Sequence, residues 1–306
     1  FLPLLMFFMT LFLLSLLFMF NLGMAVWAFR EVHASEGSDP GKPMDAVFGK
    51  RSIVCFHGYV GSPFDLRPLT ERLEKEGFRV VVPVVPAQTR SMLAYRRGQY
   101  TPERYVEWMK KTIEAEIRLT GQKPYLIGFS MGGTLATLAA AMGLSERLVL
   151  LAPFYGLVYA NRMVWALCKG IAPLVPLVPK TSRGKIFDPQ GYKRYTPGSF
   201  LVSLSAFVHL QEMAQEACKA IPRISVPVLV VASANDQVAS FRKTKALFAP
   251  IPNARIEEFP RSNHVLLYDY DRDMIVERIV SFLDVRSPQE SANVAFVDFY
   301  RQKGIG

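Results

Sequence analysis

A serine between two glycines is the stretch of this sequence most suggestive of chemistry. The pentapeptide Gly128-Phe-Ser130-Met-Gly132 follows the apolar run 124–127 and precedes the small-residue run 134–141. In a G-x-S-x-G pattern a sharp turn from strand to helix exposes the serine hydroxyl, and glycine tolerates the crowding of such a turn. A hydroxyl presented in this way can attack an acyl carbon. A plain helix N-cap would give the same short motif, so a base, an acid and an oxyanion hole must come from elsewhere in the chain.

The base is predicted from the four histidines of the chain. His33 lies in a linker-like stretch and His209 in a helical stretch of an insert, whereas His264 follows the last predicted strand. His57 stands at a strand end before Gly58, where a histidine more often braces the glycine turn than accepts a proton. His264 is therefore the predicted general base.

The acid is predicted to be Asp236, which falls in a loop after the apolar strand 226–233. Ser130, Asp236 and His264 then occur in the order nucleophile, acid, base that accompanies this motif. A neutral imidazole takes the hydroxyl proton, and the carboxylate fixes the imidazole tautomer. Other aspartates follow the histidine too closely to reach it from a separate strand end, and they are expected to cap or charge the last helix. These are Asp269, Asp271 and Asp273.

Acyl transfer also needs hydrogen-bond donors for the negative charge that develops on the carbonyl oxygen. Backbone N–H groups are the usual donors. We assign them to Tyr59, which follows the His57-Gly58 turn, and to Met131, which follows Ser130. The amides of these two residues matter more for this role than their side chains.

The elements that must position these residues alternate along the chain. Apolar runs predict strands at 51–58, 78–85, 124–129, 147–153, 226–233 and 255–259. Helices are predicted from Ser62 to about Gly77, from Thr101 to about Leu119, after Ser240, and over 272–283. This alternation favours an α/β fold with a mostly parallel, doubly wound sheet, in which functional groups collect at the carboxyl ends of the strands.

Four segments, in this order, resemble the α/β-hydrolase superfamily. They are 57–65 (HGYVGSPFD), 128–132 (GFSMG), 234–236 (AND) and 262–265 (SNHV). Within the superfamily they are most similar to bacterial carboxylesterases and monoacylglycerol lipases, and the similarity covers about residues 50–285. One departure is Pro-Ala-Gln-Thr at 86–89, where these enzymes usually carry Pro-Gly-His-Gly. It concerns the rim of the pocket and leaves the triad intact.

The resemblance implies an α/β-hydrolase fold and hydrolysis of carboxylic esters through an acyl-enzyme on Ser130, without a metal or an organic cofactor. The implied triad is Ser130, Asp236 and His264, with oxyanion donors at Tyr59 and Met131. Residues that would support the turns are His57, Gly58, Gly128 and Gly132. Acyltransferase, thioesterase and peptidase chemistry would use the same triad, and residue spacing does not separate them. The non-enzymatic alternative is a membrane-tethered binding module on the same scaffold.

An insert at 154–222 interrupts the rhythm of strands and helices. It combines apolar helical patches, at 157–167 and 200–210, with eight basic and three acidic residues. Its position after a strand predicts a cap or lid over the carboxyl ends of the sheet. Apolar and basic residues together suit a membrane interface, so a lid that admits lipid esters is one interpretation. An ordinary packed cap with a solvated face is the other.

The N-terminal residues 1–29 contain no charged side chain and are long enough to span a bilayer. They predict a membrane anchor, whereas a cleaved signal, with Val-His-Ala at 32–34 as a loose cleavage pattern, would give a secreted or periplasmic protein. A buried core helix is a third interpretation. Flanking charges are too few to orient the segment in a membrane. Residues 30–49 are predicted to be a linker and residues 287–306 a peripheral tail.

Composition limits the remaining possibilities. A chain of 306 residues, half of them hydrophobic, is expected to bury one large core, formed by 50–153 and 223–286 around the insert. The formal net charge of +10 comes without a nucleic-acid motif, so anionic surfaces such as phospholipid headgroups are the expected partners. The cysteines are too few and too widely spaced for a disulfide framework or a metal site. They are Cys55, Cys168 and Cys218.

Overall fold

The computed structural model describes residues 6, 8–16, 18–19, 23, 51–86, 101–158, 162–172, 177–179, 184–198 and 201–284. Its centre is a six-stranded sheet of order β2-β1-β3-β4-β7-β8, in which every neighbouring pair is parallel. The strands are β1 (Ser52–Phe56), β2 (Arg79–Val81), β3 (Tyr125–Phe129), β4 (Arg147–Leu151), β7 (Val228–Ala232) and β8 (Ala254–Glu258). The predicted α/β fold with a parallel sheet is thereby confirmed.

Helices cover both faces of this sheet. They are α1 (Arg67–Lys75), α2 (Pro102–Thr120), α3 (Met131–Ala141), α6 (Leu204–Ala220), α7 (Phe241–Phe248) and α8 (Arg272–Asp284). Two further helices, α4 (Arg162–Ile171) and α5 (Pro189–Arg194), lie in the insert. Short 3-10 turns lie at Pro63–Leu66, Ile221–Arg223 and Leu266–Tyr268. Ser62 and Ser240 accept hydrogen bonds from the first turns that follow them, and Gly121 ends α2 with a φ of 72°. These are the boundaries that the capping residues predict.

Alternation along each strand divides the core into two clusters, because successive side chains point to opposite faces of a sheet. In β3, Leu126 packs with α2 and α3 on one face, whereas Ile127 packs with α1 and α8 on the other. Cys55 in β1 is fully buried within the second cluster, as expected for a small hydrophobic residue. Because both faces are covered, the central strands β1, β3 and β7 are buried along their whole length, whereas the edge strand β8 carries Glu257 and Glu258.

The insert contains both helices and a small sheet. Helix α4 precedes two short antiparallel strands, β5 (Leu177–Pro179) and β6 (Leu201–Ser203), between which lies α5. Helix α6 then returns the chain to the core, and its side chains from Leu210 to Ala220 pack in the cluster around α3. Judged by side-chain packing, the second half of α6 therefore belongs to the core, although the insert was predicted to extend to Pro222.

Several predictions lie mainly outside the described residues. These include the linker 30–49, the tail 287–306 and most of the departure at 86–89. The predicted anchor at 1–29 is described only in part, at helical positions between residues 6 and 23. Among the residues described, none of the helices combines the length and apolar character that crossing a bilayer requires.

Candidate active site

The turn between β3 and α3 presents Ser130 with a strained backbone. Its φ of 52° and ψ of −115° lie in a region that residues with a side chain rarely adopt. The flanking glycines make this turn possible. A Cβ on Gly128 would lie 2.3 Å from the carbonyl oxygen of Gly132, and one on Gly132 would lie 1.9 Å from that of Phe56. The sequence pattern of small residues thus follows from close contacts between backbones.

Ser130, His264 and Asp236 form a chain of hydrogen bonds at the carboxyl ends of three strands. His264 Nε2 lies 3.0 Å from Ser130 Oγ, and His264 Nδ1 lies 2.8 Å from Asp236 Oδ2. A carboxylate only accepts hydrogen bonds, so Nδ1 carries the proton and Nε2 is left to accept the serine hydroxyl. The Phe129 ring lies beside the imidazole, with 5.2 Å between ring centroids. The structure therefore brings together the three residues predicted as nucleophile, base and acid.

The loop after β7 holds the Asp236 carboxylate in a fixed orientation. Its Oδ1 accepts hydrogen bonds from the backbone N–H groups of Val238, at 2.7 Å, and Ala239, at 2.9 Å. Oδ2 is left free to face His264. Because each oxygen has its own donors, the carboxylate cannot rotate without breaking several hydrogen bonds.

Asn263 links the loop that carries Asp236 (the acid loop) to the loop that carries His264 (the base loop), a role that its position in the sequence did not predict. Its Oδ1 accepts from the backbone N–H of Gln237 at 3.0 Å and from that of His264 at 2.8 Å. One side-chain amide oxygen therefore holds both Gln237, which follows the predicted acid Asp236, and the predicted base His264. The residue lies in the Ser-Asn-His-Val segment at 262–265, but only the folded chain brings Gln237 within its reach.

The predicted oxyanion donors flank the nucleophile. A Cβ on Gly58 would lie 3.4 Å from the Cβ of Ser130, so the turn that carries Tyr59 passes directly beside the serine. Met131 is the first residue of α3, where N–H groups have no acceptor within the helix. Among the residues that the structure describes, no acceptor is recorded for either amide. Both N–H groups are therefore available to a bound oxyanion.

His57 braces the turn at 58–61 that carries Tyr59, which we call the oxyanion turn. In the described part of the chain its ring nitrogens bond Val85 and Gly58 and not Ser130. Its Nε2 accepts the backbone N–H of Val85 at 2.9 Å, and its Nδ1 lies 3.0 Å from the carbonyl oxygen of Gly58. Complete burial lowers the pKa of His57 to about 4, while the hydrogen bond to Gly58 opposes this shift. A neutral imidazole with both nitrogens engaged matches the bracing role that the sequence analysis favours.

The aspartates after His264 do not all serve the last helix. Asp273 does, because it lies in the first turn of α8. Asp269 was predicted to cap or charge that helix, and the prediction is wrong for its side chain. Its two buried oxygens accept four backbone N–H groups instead, those of Phe187, Asp188, Asn263 and Tyr270. Asp271 Oδ2 likewise accepts from the N–H of Arg261 and the hydroxyl of Ser262. Short loops fold these carboxylates back onto the base loop.

No cluster of three or more histidine, cysteine, aspartate or glutamate side chains suited to a metal ion occurs within the described part of the chain.

The triad residues are all largely buried, with 5% of Ser130, 8% of His264 and 6% of Asp236 exposed. Burial keeps water away from the hydrogen bonds that would move the proton, which strengthens them.

A parallel sheet whose strand ends present a serine elbow, an aspartate loop and a histidine loop defines the α/β-hydrolase class of protein. The family described as "Alpha/beta hydrolase family" matches residues 53–278. This chain belongs to that family. The resemblance predicted from four short segments is confirmed.

The most informative relatives are esterases and lipases. The thermostable monoacylglycerol lipase of Bacillus sp. (strain H-257) is 24% identical over 247 residues, 79% of this chain and 93% of that protein. The solved structure reported with the metagenome-derived lipolytic enzymes LipS and LipT has a TM-score of 0.69 at 20% identity, over 81% of this chain and 98% of that one. For the monoacylglycerol lipase of Paleococcus ferrophilus the TM-score is 0.63 at 21% identity, over 78% and 98%. The two structures share the fold of this chain.

Proposed function

We propose that this protein is a serine hydrolase that cleaves carboxylic esters through an acyl-enzyme on Ser130. The single observation that supports this most is the relay from Ser130 Oγ through His264 to Asp236, with distances of 3.0 and 2.8 Å. A serine hydroxyl is a weak nucleophile until such a base accepts its proton.

The proposed reaction has two similar halves. Ser130 Oγ attacks the ester carbonyl carbon while His264 Nε2 takes its proton, and Asp236 stabilises the resulting imidazolium. The carbonyl oxygen becomes an oxyanion that accepts from the N–H groups of Tyr59 and Met131. The imidazolium then protonates the leaving alkoxide, which departs as an alcohol. Water, deprotonated by His264, attacks the acyl-enzyme and releases the carboxylic acid and free Ser130.

The proposed substrates are esters with one fatty acyl chain, such as monoacylglycerols. The name of the Bacillus relative, a monoacylglycerol lipase, supports this class. A largely apolar cap whose helices follow β4 is also suited to an acyl chain. Acyltransferase, thioesterase and peptidase activity on the same triad are outcomes that the experiment must separate.

The experiment combines labelling with a substrate series. A serine-directed phosphonate probe should label the wild-type protein and leave Ser130→Ala unlabelled. Glycerol and p-nitrophenyl esters of increasing acyl length should be hydrolysed, with much lower rates for the matching thioester and anilide. Labelling of both proteins, or of neither, would remove Ser130 as the nucleophile. A preference for the thioester or the anilide would indicate a thioesterase or a peptidase instead of an ester hydrolase. Faster acyl transfer to an added alcohol than to water would indicate an acyltransferase.

Membrane association is part of the same proposal. Its support is the charge-free segment 1–29 together with the basic, apolar composition of the cap. Hydrolysis of a medium-chain ester by the full chain should rise when anionic phospholipid vesicles are added. Equal rates with and without vesicles would count against a lipid-facing cap while leaving the ester hydrolase intact.

A further inference from the structure

A tyrosine of the cap reaches a buried carboxylate beneath the oxyanion turn. Tyr195 follows α5, is 3% exposed, and donates its hydroxyl to Asp65 Oδ1 at 2.9 Å. Asp65 is itself 2% exposed and belongs to the 3-10 turn that precedes α1. Burial and the neighbouring carboxylate raise the pKa of Tyr195 well above its usual value, so the hydroxyl remains a donor.

The same carboxylate holds the turn that carries Tyr59. Asp65 Oδ2 accepts the backbone N–H of Gly58 at 3.3 Å, one peptide before the N–H of Tyr59. The next peptide group contains both the Gly58 carbonyl oxygen and the Tyr59 N–H. Its carbonyl oxygen accepts from the N–H of Gly61 at 3.2 Å and lies 3.0 Å from His57 Nδ1. Asp65 is therefore one of the groups that set the direction of the Tyr59 N–H.

Two further contacts join the cap to this turn. The Tyr59 hydroxyl donates to the carbonyl oxygen of Ser203, at the end of β6, at 2.6 Å. A Cβ on Gly198 would lie 1.9 Å from the carbonyl oxygen of Gly61, so the cap backbone lies against the backbone of the turn. The cap thus contacts the oxyanion turn in three ways: through the Tyr59 hydroxyl, through Tyr195 and the Asp65 carboxylate, and by direct contact between backbones.

The other end of the same cap segment is attached to the base loop. The N–H groups of Phe187 and Asp188 donate to Asp269, each at 2.8 Å, and Asp269 also accepts from Asn263. The carbonyl oxygen of Lys185 accepts from the N–H of Val265, the residue after the base, at 3.1 Å. The segment 184–198 therefore connects the loop of the base with the turn of the oxyanion donor.

We propose that the cap segment 184–198 is a fixed brace, in which Tyr195 and Asp65 are positioning residues that aim the Tyr59 N–H at the oxyanion. This inference rests on the proposed ester hydrolysis and adds to it a role for the cap. Neither residue contacts the reacting atoms. They act through the Gly58 peptide, whose displacement would tilt the neighbouring donor away from the oxyanion.

The main test is Tyr195→Phe, which removes one hydroxyl and retains the packed ring. We expect kcat for a p-nitrophenyl ester to fall on the order of tenfold with KM nearly unchanged, because only the transition state uses the oxyanion hole fully. An alkyl boronic acid forms a tetrahedral adduct with a serine and places an oxygen in that hole. Its affinity should fall in parallel with kcat/KM. Asp65→Asn should have the same signature, and the double variant should be no worse than the poorer single variant.

Tyr268→Phe is the matched control. Tyr268 packs against Tyr195, with ring centroids 5.1 Å apart, and donates to the carbonyl oxygen of Phe64 at 2.6 Å. It therefore has a similar setting, but its hydroxyl bonds the backbone of the 3-10 turn and not the Asp65 carboxylate that holds Gly58. It should retain wild-type kcat. The brace is refuted if Tyr195→Phe retains wild-type kcat and boronate affinity while the wild type is active, even when its Tm is lower. Equal losses of kcat in both tyrosine variants would also refute it. An inactive, unlabelled wild-type protein would instead refute the proposed function.

Discussion

The buried imidazole of His57 should make the stability of this protein depend on pH in a measurable way. His57 is fully buried, and burial lowers its pKa from the usual 6.5 to about 4. Its two nitrogens face the N–H of Val85 and the carbonyl oxygen of Gly58, an arrangement that suits the neutral ring. Protonation would place a second donor against an N–H that is already a donor.

The sign follows from comparing the folded and unfolded chains. Below pH 6.5 the unfolded chain binds a proton at His57, whereas the folded chain does so only near pH 4. The stabilisation is therefore complete above pH 6.5 and is lost as the pH falls towards 4. Each pH unit corresponds to about 1.4 kcal/mol for one proton. The loss is thus about 2 kcal/mol at pH 5 and about 3 kcal/mol at pH 4.

The assay is urea unfolding of wild type and His57→Gln between pH 7.5 and 5. Glutamine can accept from Val85 and donate to Gly58 without titrating, although its fit is poorer. We expect the variant to be less stable at pH 7.5, and the difference to shrink by about 2 kcal/mol at pH 5. Other titrating groups cancel in the difference between the two proteins. Parallel curves of unfolding free energy against pH would refute the reasoning, whatever their separation.

Three further substitutions test the site. His264→Ala should lower kcat by on the order of 10⁴, far more than His57→Gln does. The measurement is steady-state ester hydrolysis, and a larger loss in His57→Gln would mean that His57 is the base. Gly132→Ala should lower the unfolding free energy by about 3 kcal/mol, because its Cβ would meet the carbonyl oxygen of Phe56; unchanged urea unfolding would contradict this. Asn263→Ala leaves the N–H groups of Gln237 and His264 without their acceptor, the second of them buried, so kcat and Tm should both fall, and an unchanged kcat would show that the base needs no such support.

The positions of the inner strands could be predicted from the sequence because each is largely apolar and ends near glycine, proline or a capping residue. The predicted strand at 147–153 is observed as Arg147–Leu151, and the predicted helix at 272–283 as Arg272–Asp284. The predicted strand at 78–85 is the weakest match, since only Arg79–Val81 pairs in the sheet. Apolar character predicts burial, whereas the extent of pairing depends on the neighbouring strand, and β1 aligns only Ser52 to Val54 with β2.

The polar residues that hold the loops together were not predictable in the same way. Asp269 is five residues after His264, and its position in the sequence suggested the start of α8. In the folded chain it binds N–H groups of the cap more than 80 residues away. A carboxylate has the same residue type in either role, so only the contacts distinguish them.

The sequence of this chain was sufficient to predict the residue types that can perform acyl transfer, their order and the parallel sheet that carries them. These follow from local rules, such as the glycines that the Ser130 turn requires and the apolar strands on either side of it. The folded chain was needed to show that Asn263 joins the acid loop to the base loop, and that the cap contacts the oxyanion turn through Tyr195 and Asp65. Such contacts depend on distances between segments far apart in the chain, and residue type alone carries no information about them.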